Sequence, residues 1–146
     1  MTSVLVVDLG GTKSRVGFFE IEGDRENCAL QRVYRNKDFT GIAEIIDTFH
    51  QQNPRRARHL CIALAGVVKG DRAALTNLDW RLDKKSLQQR FAFEEVLFIN
   101  DLTALAAAVP QLEDDEMVVL KKGEVEKEEA GAIIAPGTGL GQGFFF

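Results

Sequence analysis

The sequence predicts an α/β fold, and three patterns support this prediction. Short apolar, β-branched runs at residues 3–8, 59–65 and 96–99 have the pattern of strands buried inside a sheet. Between the first two runs, apolar residues recur at helical spacing. A glycine-rich turn follows an apolar strand near each end of the chain. The two similar turns suggest a duplicated strand–turn–strand module.

The first part of the chain is predicted to open with a hairpin and to continue into a helix. Residues 3–8 form the central strand, the turn at 10–12 reverses the chain, and residues 14–21 return as the second strand. A third strand follows at 28–34. A helix starts near residue 40, because apolar residues recur at i, i+3, i+4 and i+7. These residues are Ile42, Ile45, Ile46 and Phe49.

The middle of the chain is predicted to form further strand–helix units. Residues 59–65 and 96–99 are buried strands, and a helix over 83–90 precedes the second of them. Residues 66–80 form a polar stretch without a predicted helix or strand.

The last part of the chain combines one helix with short strands. A helix over 102–110 ends at a proline and places its apolar residues on one face. An acidic segment, 113–129, is predicted to be solvated, apart from a strand at 117–120. Further strands are predicted at 131–136 and from Gln142 onward. The apolar face of the helix comprises Leu102, Leu105, Ala106 and Val109.

Composition and charge describe a soluble globular protein. Of the 146 residues, 45% are hydrophobic and 27% are charged, and the formal net charge is −4. The acidity argues against a nucleic-acid partner, because such binding depends on clustered Lys and Arg. No apolar run reaches the ~18–20 residues of a membrane span, and the N terminus lacks the basic region of a signal peptide. We therefore expect a cytoplasmic protein with no membrane association.

The C-terminal end of the sequence is unusually apolar. Three phenylalanines follow Gly143, whereas a natural terminus is usually polar and frayed. We therefore expect the sequence to be the N-terminal part of a longer chain. Phe145 and Phe146 are then core residues of a strand, and exposed apolar surface is expected around them.

The first candidate site is a glycine turn directly after the opening strand. Glycine permits a positive φ and a close approach to an anion, so successive N–H groups can form a nest for phosphate oxygens. Thr12 adds a hydroxyl and Lys13 a charge, whereas Asp8 would repel phosphate unless a hydrated Mg²⁺ lay between them. A hairpin turn that binds no ligand is the alternative. The candidate residues are Asp8, Leu9, Gly10, Gly11, Thr12 and Lys13.

A second glycine turn follows the strand at 131–136. Its candidate residues are Gly137, Thr138 and Gly139. The turn does not match the dinucleotide-binding pattern, because Gln142 occupies the place of the last glycine. Two turns that each follow a strand and each contain a threonine are together able to hold one polyphosphate from two sides.

A polar pair, Asn100 and Asp101, stands at the carboxyl end of a predicted strand. Open α/β sheets bind their ligands at this edge. Asp101 is suited to accept the proton of a substrate hydroxyl that attacks phosphorus, and Asn100 to hydrogen-bond another hydroxyl. The alternative is that one of the two simply caps the following helix.

Thr76 and Asn77 stand close in sequence to the only tryptophan, Trp80. Small hydrogen-bonding groups beside an aromatic ring suit the edge of a sugar-binding site. A loop anchored by a buried tryptophan explains the same pattern equally well.

Four ordered segments together resemble the bacterial glucokinases. They read DLGGTK at 8–13, TNLDW at 76–80, INDLTA at 99–104 and APGTGLG at 135–141. The resemblance implies an actin-like (ribonuclease H-like) ATPase fold, with a mixed sheet flanked by helices and the first strands of a second domain. In that fold, ATP and sugar bind in the cleft between two α/β domains.

The same resemblance implies a function and a role for each segment. The function is ATP-dependent phosphorylation of glucose to glucose 6-phosphate, at the entry to glycolysis, with ATP and Mg²⁺ as cofactors. Asp101 matches the catalytic base and Asn100 the glucose-binding asparagine, while Thr76 and Asn77 match substrate-binding positions. The two glycine turns match the two phosphate motifs, and the full-length protein is expected to be a homodimer.

The resemblance also implies a domain division. Residues 1–110 correspond to a small α/β domain with the first phosphate motif and the catalytic Asp, and residues 111–146 to the truncated start of a large domain. These residues alone are expected to be inactive. The alternatives are a non-catalytic sugar or nucleotide sensor on the same fold, and a sugar kinase for another hexose.

Overall fold

The computed structural model describes residues 1–23, 25–123, 131–136 and 140–145. Contacts within the chain divide it into two units, Met1–Asp101 and Leu102–Phe146. The predicted domain boundary at residue 110 stays a prediction. The strands are β1 (Thr2–Leu9), β2 (Lys13–Glu22), β3 (Arg25–Arg35), β4 (His59–Leu64), β5 (Gly66–Lys69), β6 (Arg72–Leu75), β7 (Arg81–Asp83), β8 (Glu95–Asn100), β9 (Gly131–Pro136) and β10 (Leu140–Phe145). The α-helices are α1 (Ile42–Gln52), α2 (Lys84–Phe91) and α3 (Asp101–Ala108).

A mixed five-stranded sheet organises the first unit. Its strand order is β3-β2-β1-β4-β8, with β1, β2 and β3 joined as antiparallel hairpins and β4 and β8 parallel to β1. The prediction that β1 is central is therefore confirmed. The two predicted strands after the glycine turn are also confirmed, and both extend beyond their predicted bounds.

The core of the first unit lies on one face of this sheet. The side chains of Leu5, Val7 and Leu9 alternate along β1 and are fully buried. The predicted apolar face of α1 is confirmed, because all four of its residues are buried in the same core. Full burial of one such side chain contributes about 1.5–3 kcal/mol to the free energy of unfolding. The opposite face of β1 is less buried than predicted for a central strand, since Val4 and Val6 are only half-buried.

A second, three-stranded sheet begins in the polar stretch for which no strand was predicted and ends just beyond it. Strands β5, β6 and β7 pair in this order, all antiparallel. Ala73, Leu75 and Leu82 point into the core while their neighbours are more exposed. These strands were not predicted, because strands of three or four residues are too short for their alternation of apolar and polar residues to stand out.

Helix α2 has a side-chain cap at its N terminus, whereas helix α3 buries little of its predicted apolar face. Asp83 caps α2, since its carboxylate accepts a 2.9 Å hydrogen bond from the Ser86 N–H. This bond also lowers the pKa of Asp83. Helix α3 forms where predicted, but of its predicted apolar face only Ala106 is buried, and Leu105 is exposed.

The second unit contains one confirmed hairpin and one wrong prediction. Strands β9 and β10 pair antiparallel. Residues 117–120 do not form the predicted strand, and Leu120 is 95% exposed. An extended run needs a neighbouring strand for its backbone hydrogen bonds, and residues 117–120 have none among the residues described above. Exposed apolar surface occurs in the hairpin as expected, at Ile134, Leu140 and Phe144.

No helix within the described ranges is both long enough and apolar enough to cross a membrane.

Candidate active site

Three strands of the first unit end together at one edge of the sheet. Leu9, Leu64 and Asn100 are in register at the carboxyl ends of the parallel strands β1, β4 and β8. The Ala65 N–H donates to the Leu9 carbonyl oxygen at 3.2 Å, and the Thr76 N–H donates to the Ala65 carbonyl oxygen at 3.2 Å. The glycine turn, the Thr76 loop and the Asn100–Asp101 pair therefore share this edge. We call it the carboxyl edge.

The glycine turn after β1 is tight. The Gly10 N–H donates to the Lys13 carbonyl oxygen at 3.1 Å. A Cβ on Gly10 would lie 3.2 Å from that same oxygen, so a side chain there is crowded. Gly10 and Gly11 do not use the positive φ that glycine permits, since the described glycines with left-handed φ are Gly23 and Gly70. Glycine is needed here for close approach of the backbone.

The turn lies directly against the Thr76–Asn77 segment. A Cβ on Gly11 would meet Cβ and Nδ2 of Asn77, both at 3.5 Å, which is ordinary van der Waals contact. Two predicted site segments that are far apart in sequence are thus neighbours. The turn itself is open to ligand, since Thr12 and Lys13 are exposed.

A buried polar pair behind the turn was not predicted. Asn36 donates through Nδ2 to the Gly10 carbonyl oxygen at 2.8 Å, and its backbone N–H donates to the Thr12 carbonyl oxygen at 2.9 Å. The Ser14 hydroxyl donates to Asn36 Oδ1 at 2.6 Å. Both side chains are almost fully buried. The spacing of Ser14 and Asn36 in the sequence does not predict this pair, because the contact forms only when β2 and β3 align.

Asp8 presents a carboxylate at the carboxyl edge. It is exposed and lies 3.7 Å from the Arg15 guanidinium on the facing strand. An exposed ion pair of this kind contributes little to stability and leaves carboxylate oxygens accessible to water. The described residues hold no group of three or more metal-ligating side chains. A single carboxylate nevertheless fits a cation that keeps most of its water and is bound mainly through phosphate.

Asn100 and Asp101 stand at the junction of β8 and α3. Asn100 Nδ2 donates to the Gly66 carbonyl oxygen at 3.2 Å, which fixes the orientation of its amide. Asp101 is half-buried and is the first residue of α3. Gly66 was not predicted to have a structural role. A Cβ on it would overlap the carbonyl oxygen of Ala74. Its lack of a side chain therefore allows β5 and β6 to pair.

The loop after β6 is anchored by its tryptophan. Trp80 is half-buried and packs against the core of the first unit. The Trp80 carbonyl oxygen accepts a 3.4 Å hydrogen bond from the Leu75 N–H. Thr76 and Asn77 are exposed at the tip of this loop, so the aromatic ring holds the loop while the polar groups face solvent.

Comparison with known proteins identifies the family of this chain. The family model described as Glucokinase matches residues 5–146. The chain belongs to the glucokinase family. It is 34% identical to a glucokinase of a Nostoc species, over 99% of this chain and 43% of that protein. It is 32% identical to the glucokinase of Saccharophagus degradans, over 97% of this chain and 44% of that protein.

Solved structures of sugar kinases share the fold. A glucokinase from an Antarctic psychrotroph matches with a TM-score of 0.83 and 28% identity, over 97% of this chain and 45% of that one. A ROK family glucokinase from Streptomyces griseus, solved with glucose and AMPPNP, matches with a TM-score of 0.60 and 26% identity, over 97% of this chain and 44% of that one. The predicted actin-like sugar-kinase fold is confirmed. The chain spans less than half the length of these glucokinases.

The match to the glucokinase family assigns no role to any individual residue. The second predicted phosphate turn, Gly137, Thr138 and Gly139, lies outside the described residues. Its flanking strands β9 and β10 form the predicted hairpin. The roles predicted for the residues of both turns, for Thr76 and Asn77 and for Asn100 and Asp101 stay predictions.

Proposed function

We propose that the protein carrying this chain is a glucokinase, which transfers the γ-phosphoryl group of ATP to the 6-hydroxyl of glucose. One observation carries the proposal: a glycine turn, a polar loop and the Asn100–Asp101 pair share the carboxyl edge of one sheet. These are a candidate phosphate site and a candidate sugar site. The solved glucokinase with glucose and AMPPNP supports the same pair of ligands.

The sugar side of the proposal rests on Asn100 and Asp101. Asp101 accepts the proton of the 6-hydroxyl as that oxygen attacks phosphorus. Asn100, held by the Gly66 carbonyl oxygen, hydrogen-bonds another sugar hydroxyl. Thr76 and Asn77 bind the sugar from the neighbouring loop. Phosphoryl transfer needs mainly positioning and charge neutralisation, so few polar groups are enough.

The phosphate side of the proposal rests on the two glycine turns. In this proposal the N–H groups of Gly11 to Lys13, the Thr12 hydroxyl and the Lys13 ammonium bind phosphate oxygens of ATP. Gly137, Thr138 and Gly139 of the second turn are proposed as phosphate-binding residues as well. Asp8 would hold Mg²⁺ through a water molecule. When bound, that ion would supply the positive charge that offsets the phosphate charges and their repulsion by the Asp8 carboxylate.

The cellular setting follows from the proposed reaction. Glucose 6-phosphate formation places the enzyme at the entry to glycolysis, and glycolysis is a cytoplasmic process. A homodimer is proposed for the full-length protein, and light scattering on that protein measures its mass directly. A monomeric mass would contradict this part of the proposal.

A panel of hexoses and phosphoryl donors tests the proposal. The protein that carries this chain is assayed with glucose, mannose, fructose and N-acetylmannosamine, each with ATP or polyphosphate. We expect the largest kcat/KM with glucose and ATP, and loss of activity when Mg²⁺ is chelated. Sugar binding without turnover would show a sensor instead, and a preference for another sugar would show a different sugar kinase.

A further inference from the structure

We infer that Asn36 is a positioning residue that sets the orientation of the phosphate-binding turn. The inference rests on the proposed function, because it assigns a ligand to that turn. Asn36 itself lies behind the turn and is 2% exposed, so it acts on phosphate only through the backbone that it holds.

Asn36 binds two carbonyl oxygens of the turn at once. Its Nδ2 donates to the Gly10 oxygen at 2.8 Å, and its backbone N–H donates to the Thr12 oxygen at 2.9 Å. Both carbonyl groups are acceptors, so both turn toward Asn36. The Lys13 carbonyl oxygen accepts from the Gly10 N–H at 3.1 Å.

The geometry of the peptide group converts these bonds into an orientation for the N–H groups. In a trans peptide plane the C=O and the following N–H point in opposite directions, and the described residues contain no cis peptide bond. Since the Gly10 and Thr12 oxygens point to Asn36, the N–H groups of Gly11 and Lys13 point away from it. Asn36 therefore presents two donors on the opposite side of the turn, as an anion nest requires.

Ser14 completes the arrangement by fixing which way the Asn36 amide faces. Its hydroxyl donates to Oδ1 at 2.6 Å, which leaves Nδ2 directed at Gly10. Both side chains are buried, and leaving a buried polar group without its partner is costly. The pair is thus a rigid support for a backbone that has little side-chain packing of its own.

The test exchanges the amide of Asn36 for a carboxylate in the protein that carries this chain. Asn36→Asp keeps the size of the side chain but replaces the donor to Gly10 by an acceptor, which repels the carbonyl oxygen. Ser14→Ala is the milder variant and leaves Asn36 Oδ1 without its donor. The matched control is Asn53→Asp, at a buried asparagine after α1 whose Oδ1 accepts from the Arg55 N–H. An aspartate at position 53 keeps that acceptor.

Steady-state kinetics separate positioning from mere stability. We expect Asn36→Asp to raise KM for ATP about tenfold, the effect of losing one buried hydrogen bond, with kcat and KM for glucose nearly unchanged. Ser14→Ala should act in the same direction by less, and Asn53→Asp should have no such effect. Partial unfolding would instead lower kcat and leave KM for ATP unchanged, and this result in Asn36→Asp would overturn the inference.

Two further outcomes are also decisive. If Asn36→Asp does not fold, Ser14→Ala decides, and an unchanged KM for ATP in that variant would overturn the inference. If the unsubstituted protein has no ATP-dependent activity, the proposed function fails, and binding of inorganic tripolyphosphate is measured instead. Weaker tripolyphosphate binding by Ser14→Ala than by Asn53→Asp would then support the inference, and equal binding would overturn it.

Discussion

The two glycine hairpins of this chain have similar sequences but very different surroundings. Strands β1 and β2 lie within a five-stranded sheet, and the side chains on one face are buried under α1. Strands β9 and β10 form a two-stranded sheet in which Ile133 is buried, whereas Ile134 and Phe144 are exposed. The strand–turn–strand pattern therefore predicts a hairpin in both places, but it does not predict how firmly either is held.

The difference shows which contacts stabilise the first glycine turn. A two-stranded hairpin by itself is marginal in water, and glycines contribute flexibility rather than rigidity. The first turn is held from behind by Ser14 and Asn36, and its strands are held by the core. We therefore assign the stability of the described fold mainly to the first unit, and two pairs of substitutions test this assignment.

The largest expected effect is the loss of a buried phenylalanine from the first hairpin. Phe18 on β2 is 3% exposed, whereas Phe144 on β10 is 69% exposed. Phe18→Ala is expected to lower the free energy of unfolding by about 3–5 kcal/mol, and Phe144→Ala to change it by less than about 0.5 kcal/mol. Urea unfolding followed by Trp80 fluorescence measures both. Equal losses would contradict the assignment.

A smaller effect is expected from adding one methyl group to a glycine. In Gly66→Ala the new Cβ overlaps the backbone of β6, which we expect to cost about 1–3 kcal/mol. Because the Gly66 carbonyl oxygen holds Asn100, KM for glucose should rise as well. The control is Gly143→Ala in the second hairpin, where the Cβ meets the Leu102 side chain at an ordinary 3.6 Å. If Gly66→Ala were as harmless as this control, the tight β5–β6 contact would not matter.

Long, regular apolar patterns made much of the first unit predictable. The strands β1, β4 and β8 are continuous apolar runs, and α1 has a complete helical stripe, so each was found near its observed bounds. The strands β5, β6 and β7 were missed because each is only three or four residues long. The predicted strand at 117–120 failed because an apolar run does not show whether a partner strand is beside it.

The site residues that come directly after a strand could be predicted from the sequence. Asn100 and the turn at 10–13 were each predicted to follow a strand, and the structure shows that these parallel strands end at one edge. Gly66 and Asn36 were missed, since their importance depends on contacts between segments distant in sequence. Residues that hold a site in place carry no local signature, whereas residues that face the ligand do.

The central claim is that the carboxyl edge of the first unit is the site of phosphoryl transfer, with Asp101 as the base. The most direct measurement is kcat for glucose phosphorylation by Asp101→Asn in the protein that carries this chain, beside the control Asp47→Asn on α1. We predict a loss of roughly 10²–10⁴-fold for Asp101→Asn and nearly full activity for the control. A kcat within a few fold of the unsubstituted protein in Asp101→Asn would contradict the claim.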